Sequence, residues 1–179
     1  MEKKEIASHN MKKNILILLC CLVALSSCQK SGMQLFRGDY SFKTSGSVIV
    51  EEVLPDGDNS EPLSFTVNLP NEIGQLEISA LGNERDSLLV VMNTMGEEVI
   101  VTHAFCDGNE IFLQDFTKNS LQFTIDSILM KYELNVQAKG QMYEDNTLII
   151  NMIYDGKAES NNKTFSIHGD NIRMAATRN

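Results

Sequence analysis

The stretch LIINMIYDGK, residues 148–157, decides the fold because it combines a strand pattern with a turn pattern. Leu148, Ile150, Met152 and Tyr154 recur at every second position. That spacing is typical of a half-buried β-strand, whereas a helix repeats every 3.6 residues. The Asp-Gly pair that follows is favoured in tight hairpins, so we expect a turn there.

The same alternation extends outward over most of the chain from Gly38 onward. The stretch LSFTVNL, 63–69, alternates without interruption, and DGN, 107–109, is a second hairpin signal. The stretch DSILMKYEL, 126–134, could begin a helix at Asp126, but it is short and the strand pattern resumes at once. About ten short strands separated by Gly, Asn and Asp turns predict one all-β domain, an antiparallel barrel or sandwich.

The N-terminus carries a different pattern, MKKNILILLCCLVALSSC at 11–28. Two lysines, a ten-residue apolar run at 15–24 and small residues before Cys28 describe a secretory signal. The run is too short to cross a bilayer, which needs about 20 apolar residues. Met11 followed by two lysines reads as the start of translation, with 1–10 an addition that is not native.

The order Leu25-Ser26-Ser27-Cys28 resembles a bacterial lipobox. This resemblance implies that residues 1–27 are removed and that Cys28 carries a thioether-linked lipid. Residues 28–37 would then be a lipidated tether, and 38–179 the β domain. We expect attachment to a cell-envelope membrane through the lipid, on the periplasmic side of the outer membrane.

Charge and cysteine content limit the function of the remaining chain. From Cys28 to the end there are 11 basic and 22 acidic residues, a formal net charge of −11. An acidic chain is a poor ligand for nucleic acid or anionic lipid headgroups. With Cys28 lipidated, Cys106 is the one cysteine left, so the domain has no internal disulfide, and we expect Cys106 to be a small buried residue.

No set of residues in the sequence predicts catalysis, a metal or a cofactor. His103 and Cys106 stand three apart beside Asp107, but zinc needs three or four converging ligands, and the other ligands are missing. We therefore interpret His103 as a packed or surface residue. The stretch DGDNSE at 56–61 lacks the glycine and glutamate positions of a calcium-binding EF-hand, and no nucleophile stands beside a base. We expect no enzyme activity.

The stretch GDYSFKTSGSVIV, 38–50, resembles the first strand of lipocalin-like (calycin-like) lipoproteins of Bacteroidetes. Lipocalins open with Gly-x-Trp, and Gly38-Asp39-Tyr40 matches with tyrosine in place of tryptophan. The closing stretch 140–179 resembles the last hairpins of such barrels, with Arg173 in the final strand. The resemblance implies an up-and-down barrel of eight to ten strands; a BPI-like curved sheet and a β-sandwich are the alternatives.

Two functions follow from a lipid-anchored barrel. We expect it to bind a small apolar ligand, lined by Phe65, Phe123, Met152 and Tyr154. The alternative is a structural or accessory interaction module of an envelope complex, with a filled barrel, no ligand and an unknown protein partner. The width of the interior separates the two, because about eight strands leave either a packed core or room for one ligand. The ten residues with the strongest inward-facing pattern are Leu63, Phe65, Val67, Leu121, Phe123, Ile125, Leu148, Ile150, Met152 and Tyr154.

Overall fold

The strands of the computed structural model form a closed antiparallel barrel. The structure describes residues 32–57, 59–82, 87–95, 99–119, 124–125, 128–129, 131–160 and 162–179. A short helix precedes the strands, α1 (Gly32–Phe36). The strands are β1 (Gly38–Ser45), β2 (Ser47–Val53), β3 (Ser64–Asn68), β4 (Ile73–Ala80), β5 (Ser87–Thr94), β6 (Val99–Asp107), β7 (Glu110–Lys118), β8 (Thr124–Ile125), β9 (Ile128–Leu129), β10 (Lys131–Met142), β11 (Thr147–Ser160) and β12 (Lys163–Arg178).

Eight strands close the barrel in the order β1-β4-β5-β6-β7-β10-β11-β12, and β12 pairs back onto β1. The long β12 pairs with β1 through its second half and with β2 through its first half, and β3 pairs with β2. β8 and β9 form a separate two-stranded hairpin. The closure confirms the predicted up-and-down barrel, because a sandwich or an open curved sheet would leave β1 and β12 unpaired with each other.

The barrel has two ends, which we name by what lies there. The helix end contains α1, the start of β1, the end of β12 and the β6–β7 turn. At the far end, β5 and β7 end while β2, β3 and the first half of β12 extend the wall. The β6–β7 turn confirms the DGN hairpin prediction: Gly108 has a φ of +59°, as a type II′ turn requires at its first central residue.

The hairpin predicted within YDGK is wrong. β11 continues through Asp155, Gly156 and Lys157, and the chain reverses only near Asn162, which has a φ of +60°. Gly156 instead allows two strands to approach closely, because an added Cβ would collide with the carbonyl oxygen of Glu133 on β10. An Asp-Gly pair thus marks close backbone contact here and a turn at residues 107–108.

The predicted inward-facing residues divide into four groups. Leu148, Ile150, Met152 and Tyr154 are all buried, which confirms the pattern on β11. Phe65 and Val67 are half-buried and pack against the core. The prediction for Leu63 is wrong. Its side chain is 47% exposed, because Leu63 precedes the first residue of β3 at the edge of the wall. Leu121 and Phe123 lie outside the described residues, as does the side chain of Ile125.

Part of the segment 28–37, which the sequence analysis expects to be a tether, lies in the compact unit of the barrel. Residues Gly32–Phe36 form α1, and the compact unit of the barrel begins at Gly32. Phe36 is fully buried, and Met33 and Leu35 pack against the core. The apolar residues of the sequence GMQLF therefore belong to the domain, because burying them stabilises the fold more than leaving them exposed in a linker.

Candidate functional site

Tyr40 and Arg178 form the polar centre of the helix end. The register of β1 and β12 places them directly opposite each other, so their side chains share the inner face. Arg178 Nη2 donates to the Tyr40 hydroxyl at 2.7 Å and also to the carbonyl oxygen of Leu35. The Tyr40 hydroxyl donates to the carbonyl oxygen of Phe36 at 2.6 Å. These bonds attach α1 to the first and last strands.

The environment of Tyr40 and the backbone at Gly38 show how this cluster accommodates an arginine. Burial raises the pKa of the Tyr40 hydroxyl, while the hydrogen bond from Arg178 and its charge act in the opposite direction. The guanidinium also lies over the Tyr40 ring, 5.2 Å from its centre. Gly38 has a φ of +147°, and an added Cβ would lie 3.2 Å from Arg178 Nε. The Gly38-x-Tyr40 motif therefore makes room for an arginine.

The arginine that contacts the motif is Arg178, which the sequence analysis did not single out. Arg173, noted there in the final strand, is exposed on the outer face of β12. The parity of β12 distinguishes the two, because residues at even positions from Ile172 to Arg178 face inward. Applying that parity to the last strand would have identified Arg178.

Glu72 and Lys118 form an ion pair at the far end of the barrel interior. Lys118 Nζ lies 2.8 Å from Glu72 Oε2, and the two side chains are 4% and 17% exposed. Lys118 is the last residue of β7, and Glu72 directly precedes β4. Thr44 on β1 adds a backbone bond from its N–H to the carbonyl oxygen of Glu72 at 2.8 Å, and its hydroxyl donates to Glu72 Oε2 at 3.4 Å.

Beside the ion pair, the interior leaves a void of about 10 Å³. A space of that size holds about one water molecule. A ligand pocket for a drug-sized molecule is roughly 300–1,000 Å³. The lining combines aromatic, methionine and threonine side chains with the ion pair: Phe42, Thr44, Glu72, Met92, Thr94, Ile100, Phe116, Lys118, Met152, Tyr154 and Met174. The interior beside the ion pair is therefore filled by its own side chains.

Of the four residues predicted to line a ligand, two lie together at this void. Met152 and Tyr154 border the void, and the Tyr154 hydroxyl lies 4.0 Å from Met152 Sδ. Phe65 packs against the core elsewhere, on β3. Phe123 lies outside the described residues, as does Cys28. Glu72 and Lys118 were missed, because a charged residue at a strand end is normally on the surface.

Among the described residues, hollows also lie on the outer surface of the barrel. One of about 720 Å³ lies beside the β10–β11 turn, where exposed residues such as Tyr143, Glu144 and Arg173 line it. Another of about 440 Å³ lies where β6 and β7 separate. The ladder between these strands covers only Ala104–Asp107 and Glu110–Leu113, and beyond it Thr102 Oγ1 donates to the carbonyl oxygen of Gln114 at 2.9 Å.

His103 and Cys106 lie on opposite faces of β6. His103 is exposed on the outer wall, and Cys106 is buried, as the sequence predicts for it. Within the described ranges, no three histidine, cysteine, aspartate or glutamate side chains are grouped to hold a metal ion. Because residues three positions apart in a strand point to opposite faces, His103 and Cys106 do not share a site.

Comparison with protein-family models and with curated protein sequences gives no match. In the part of the chain that the structure describes, no helix is both long and apolar enough to span a membrane. The function must therefore be inferred from the barrel, its interior and its surface.

Proposed function

We propose that this chain is a lipid-anchored cell-envelope protein whose filled β-barrel acts as a structural or interaction module. The observation that carries the proposal is the interior void of about 10 Å³. A fatty acid or a molecule of similar size needs a pocket tens of times larger. Such a barrel would act through contacts of its outer surface, without a catalytic role and without a cofactor.

The anchor in this proposal is a lipid on Cys28. Its support is the order Leu25-Ser26-Ser27-Cys28 after a charged and then apolar segment. Because the chain after residue 27 has a formal net charge of −11, electrostatic attraction to anionic lipid is a weak alternative. Acyl chains contribute about 0.8 kcal/mol per buried methylene, so the lipid would hold the protein on the membrane. The periplasmic side of the outer membrane remains the proposed location.

A carrier of a small apolar ligand is the second candidate, and the Glu72–Lys118 pair favours it. A nearly buried lysine beside three methionines could orient an acidic headgroup, since methionine side chains repack easily. This function requires several lining side chains to move together, because the void does not hold a ligand. The filled barrel needs no such rearrangement.

Two measurements test the proposal. Metabolic labelling with an acyl-chain analogue should mark the wild type and leave Cys28→Ala unlabelled; equal label on both would remove the anchor. Mass spectrometry of the intact lipoprotein, extracted gently from its own membrane, should detect no stoichiometric small molecule. Recovery of one apolar molecule per chain would favour the carrier. Crosslinking in intact cells, followed by the same extraction, would identify a protein partner.

A further inference from the structure

The outer wall of β5, β6 and β7 carries a group of apolar side chains on both sides of the exposed His103, which pairs with Leu89. Val99 and Val101 are each 60% exposed and Phe105 is 56% exposed. Their cross-strand neighbours extend the surface, because Val101 pairs with Val91 and Phe105 pairs with Phe112. We name Leu89, Val91, Val99, Val101, Phe105 and Phe112 the β5–β7 apolar face. Grouped exposed apolar surface of this kind marks a site that contacts protein or membrane.

Aromatic stacking concentrates this surface near the helix end. The Phe105 and Phe112 rings stack 4.7 Å apart with planes 8° from parallel. Lys139 Nζ lies 4.8 Å from the centre of the Phe112 ring and 2.8 Å from Glu110, so charge at this edge is balanced. The two stacked phenylalanine rings therefore form an apolar patch without net charge on a protein that is acidic.

Ile49 on β2 is an exposed apolar residue of a different kind. It is 50% exposed, but its cross-strand neighbours are the polar residues Thr66 and His168. Scattered single residues of this kind are normal on any soluble surface. The β5–β7 face differs because it contains two apolar cross-strand pairs, Val91 with Val101 and Phe105 with Phe112.

The position of the chain start connects this face with the predicted anchor. An added Cβ on Gly32 would lie 3.2 Å from the carbonyl oxygen of Gly108 and 3.5 Å from Cys106 Sγ. Gly32 therefore lies against the β6–β7 turn. Cys28 is four residues earlier, and four extended residues reach at most about 14 Å. A lipid on Cys28 would hold this turn, and Phe105 three residues before it, close to the bilayer surface.

We propose that the β5–β7 apolar face rests on the lipid bilayer at its interface, so that the barrel lies on its side. This inference depends on the lipid anchor of the proposed function. The acyl chain supplies the affinity, and the apolar face determines which wall meets the membrane. Because the face has no excess of basic residues, apolar contact with the headgroup and acyl boundary is the chemistry involved. The opposite wall, formed by β1 and β12, faces away.

The absence of tryptophan from the chain permits a direct test. The mature lipoprotein is reconstituted in vesicles of phosphatidylethanolamine and phosphatidylglycerol that contain brominated acyl chains, which quench nearby tryptophan. Phe105→Trp places the probe on the apolar face. Ala175→Trp places it at an exposed position on β12, across the barrel and a similar number of residues from the helix end. Val101→Asp, combined with Phe105→Trp, weakens the face at an exposed position.

We expect Phe105→Trp emission to fall roughly twofold or more, because interfacial side chains lie about 5–10 Å into the bilayer boundary. Ala175→Trp emission should remain unchanged, and Val101→Asp should restore much of the lost Phe105→Trp emission. Equal quenching at both positions, or none at either while the protein floats with the vesicles, would overturn the orientation. Loss of flotation would instead overturn the anchor. Crosslinking in cells from position 105 to another protein, together with unquenched emission, would assign the face to a protein partner.

Discussion

The two ends of the barrel fill the interior in different ways. At the helix end, a segment of backbone covers the core, and Arg178 bonds to Tyr40 and to the Leu35 carbonyl oxygen in α1. At the far end, the Glu72–Lys118 ion pair lies beside the void of about 10 Å³. Hydrogen bonds to the main chain thus hold the helix end in place. At the far end, the space beside the void is filled by long side chains that can change rotamer. The carrier hypothesis therefore depends on the far end.

The largest effect is expected for Arg178→Met at the helix end. The change removes charge-assisted hydrogen bonds to Tyr40 and to the Leu35 carbonyl oxygen, which are about 1.5–3 kcal/mol each. Urea unfolding should show a loss of about 3 kcal/mol in the free energy of unfolding. Arg173→Met, five residues earlier and exposed on the outer face, is the control and should change it by less than about 0.5 kcal/mol. Equal effects would refute the assignment of Arg178.

Lys118→Met should have the next largest effect, at the far end. Removing one partner of a buried ion pair costs roughly 3–5 kcal/mol, and the partial exposure of Glu72 lowers this to about 2–3 kcal/mol. Adding Glu72→Gln should recover more than half of the loss, as a double-mutant cycle in urea would show. Lys139→Met breaks an exposed pair of the same 2.8 Å length and should cost no more than about 1 kcal/mol. Additive losses in the cycle would show that the far-end pair is not coupled.

Gly38→Ala should have a smaller effect, again at the helix end. Alanine would have to adopt a φ of +147°, and its Cβ would lie 3.2 Å from Arg178 Nε. We expect the free energy of unfolding to fall by about 1–2 kcal/mol. Gly57→Ala is the control, because Gly57 also has a positive φ, +90°, but nothing lies within 4 Å of an added Cβ. The thermal midpoint of Gly38→Ala should fall further than that of Gly57→Ala. A larger fall for Gly57→Ala would indicate that the Arg178 contact is unimportant.

The smallest effect concerns alkaline pH. Because burial raises the pKa of the Tyr40 hydroxyl in the fold, the unfolded chain loses this proton first. The contribution of Tyr40 to stability is therefore complete below its unfolded pKa of about 10 and declines as pH rises above it. Urea unfolding between pH 8 and 11 should show a shallower decline for Tyr40→Phe than for the wild type. Parallel curves would show that Tyr40 ionises equally in both states.

Much of the fold could be predicted from residue alternation. The pattern on 148–154 identified buried positions of β11, and Asp107-Gly108 identified a turn. The same dipeptide at Asp155-Gly156 misled, because glycine serves both turns and close strand contacts, and the neighbouring strand decides between them. Closure of the barrel could be expected only from the resemblance, since the pairing of β1 with β12 joins residues more than a hundred positions apart.

The site was harder to predict than the fold. Tyr40 was recognised from the Gly38-x-Tyr40 motif, but its partner Arg178 depends on register across β1 and β12. Glu72 and Lys118 lie 46 positions apart, so nothing in the local sequence connects them. The ligand prediction combined residues by strand parity alone. Parity shows which side of a strand is inward, but the volume left inside depends on how all eight strands pack together.

Titration of the mature protein with a fluorescent fatty-acid probe tests the filled barrel most directly. Met152→Ala, which removes a buried side chain at the edge of the void, provides an enlarged interior for comparison. Lys118→Met tests whether any binding involves the far-end lysine. We expect no saturable binding by the wild type or by Met152→Ala, because one truncated side chain leaves the void far below the roughly 300 Å³ that such a ligand needs. Saturable binding of one probe per wild-type chain, weakened by Lys118→Met, would refute the filled barrel and establish the carrier.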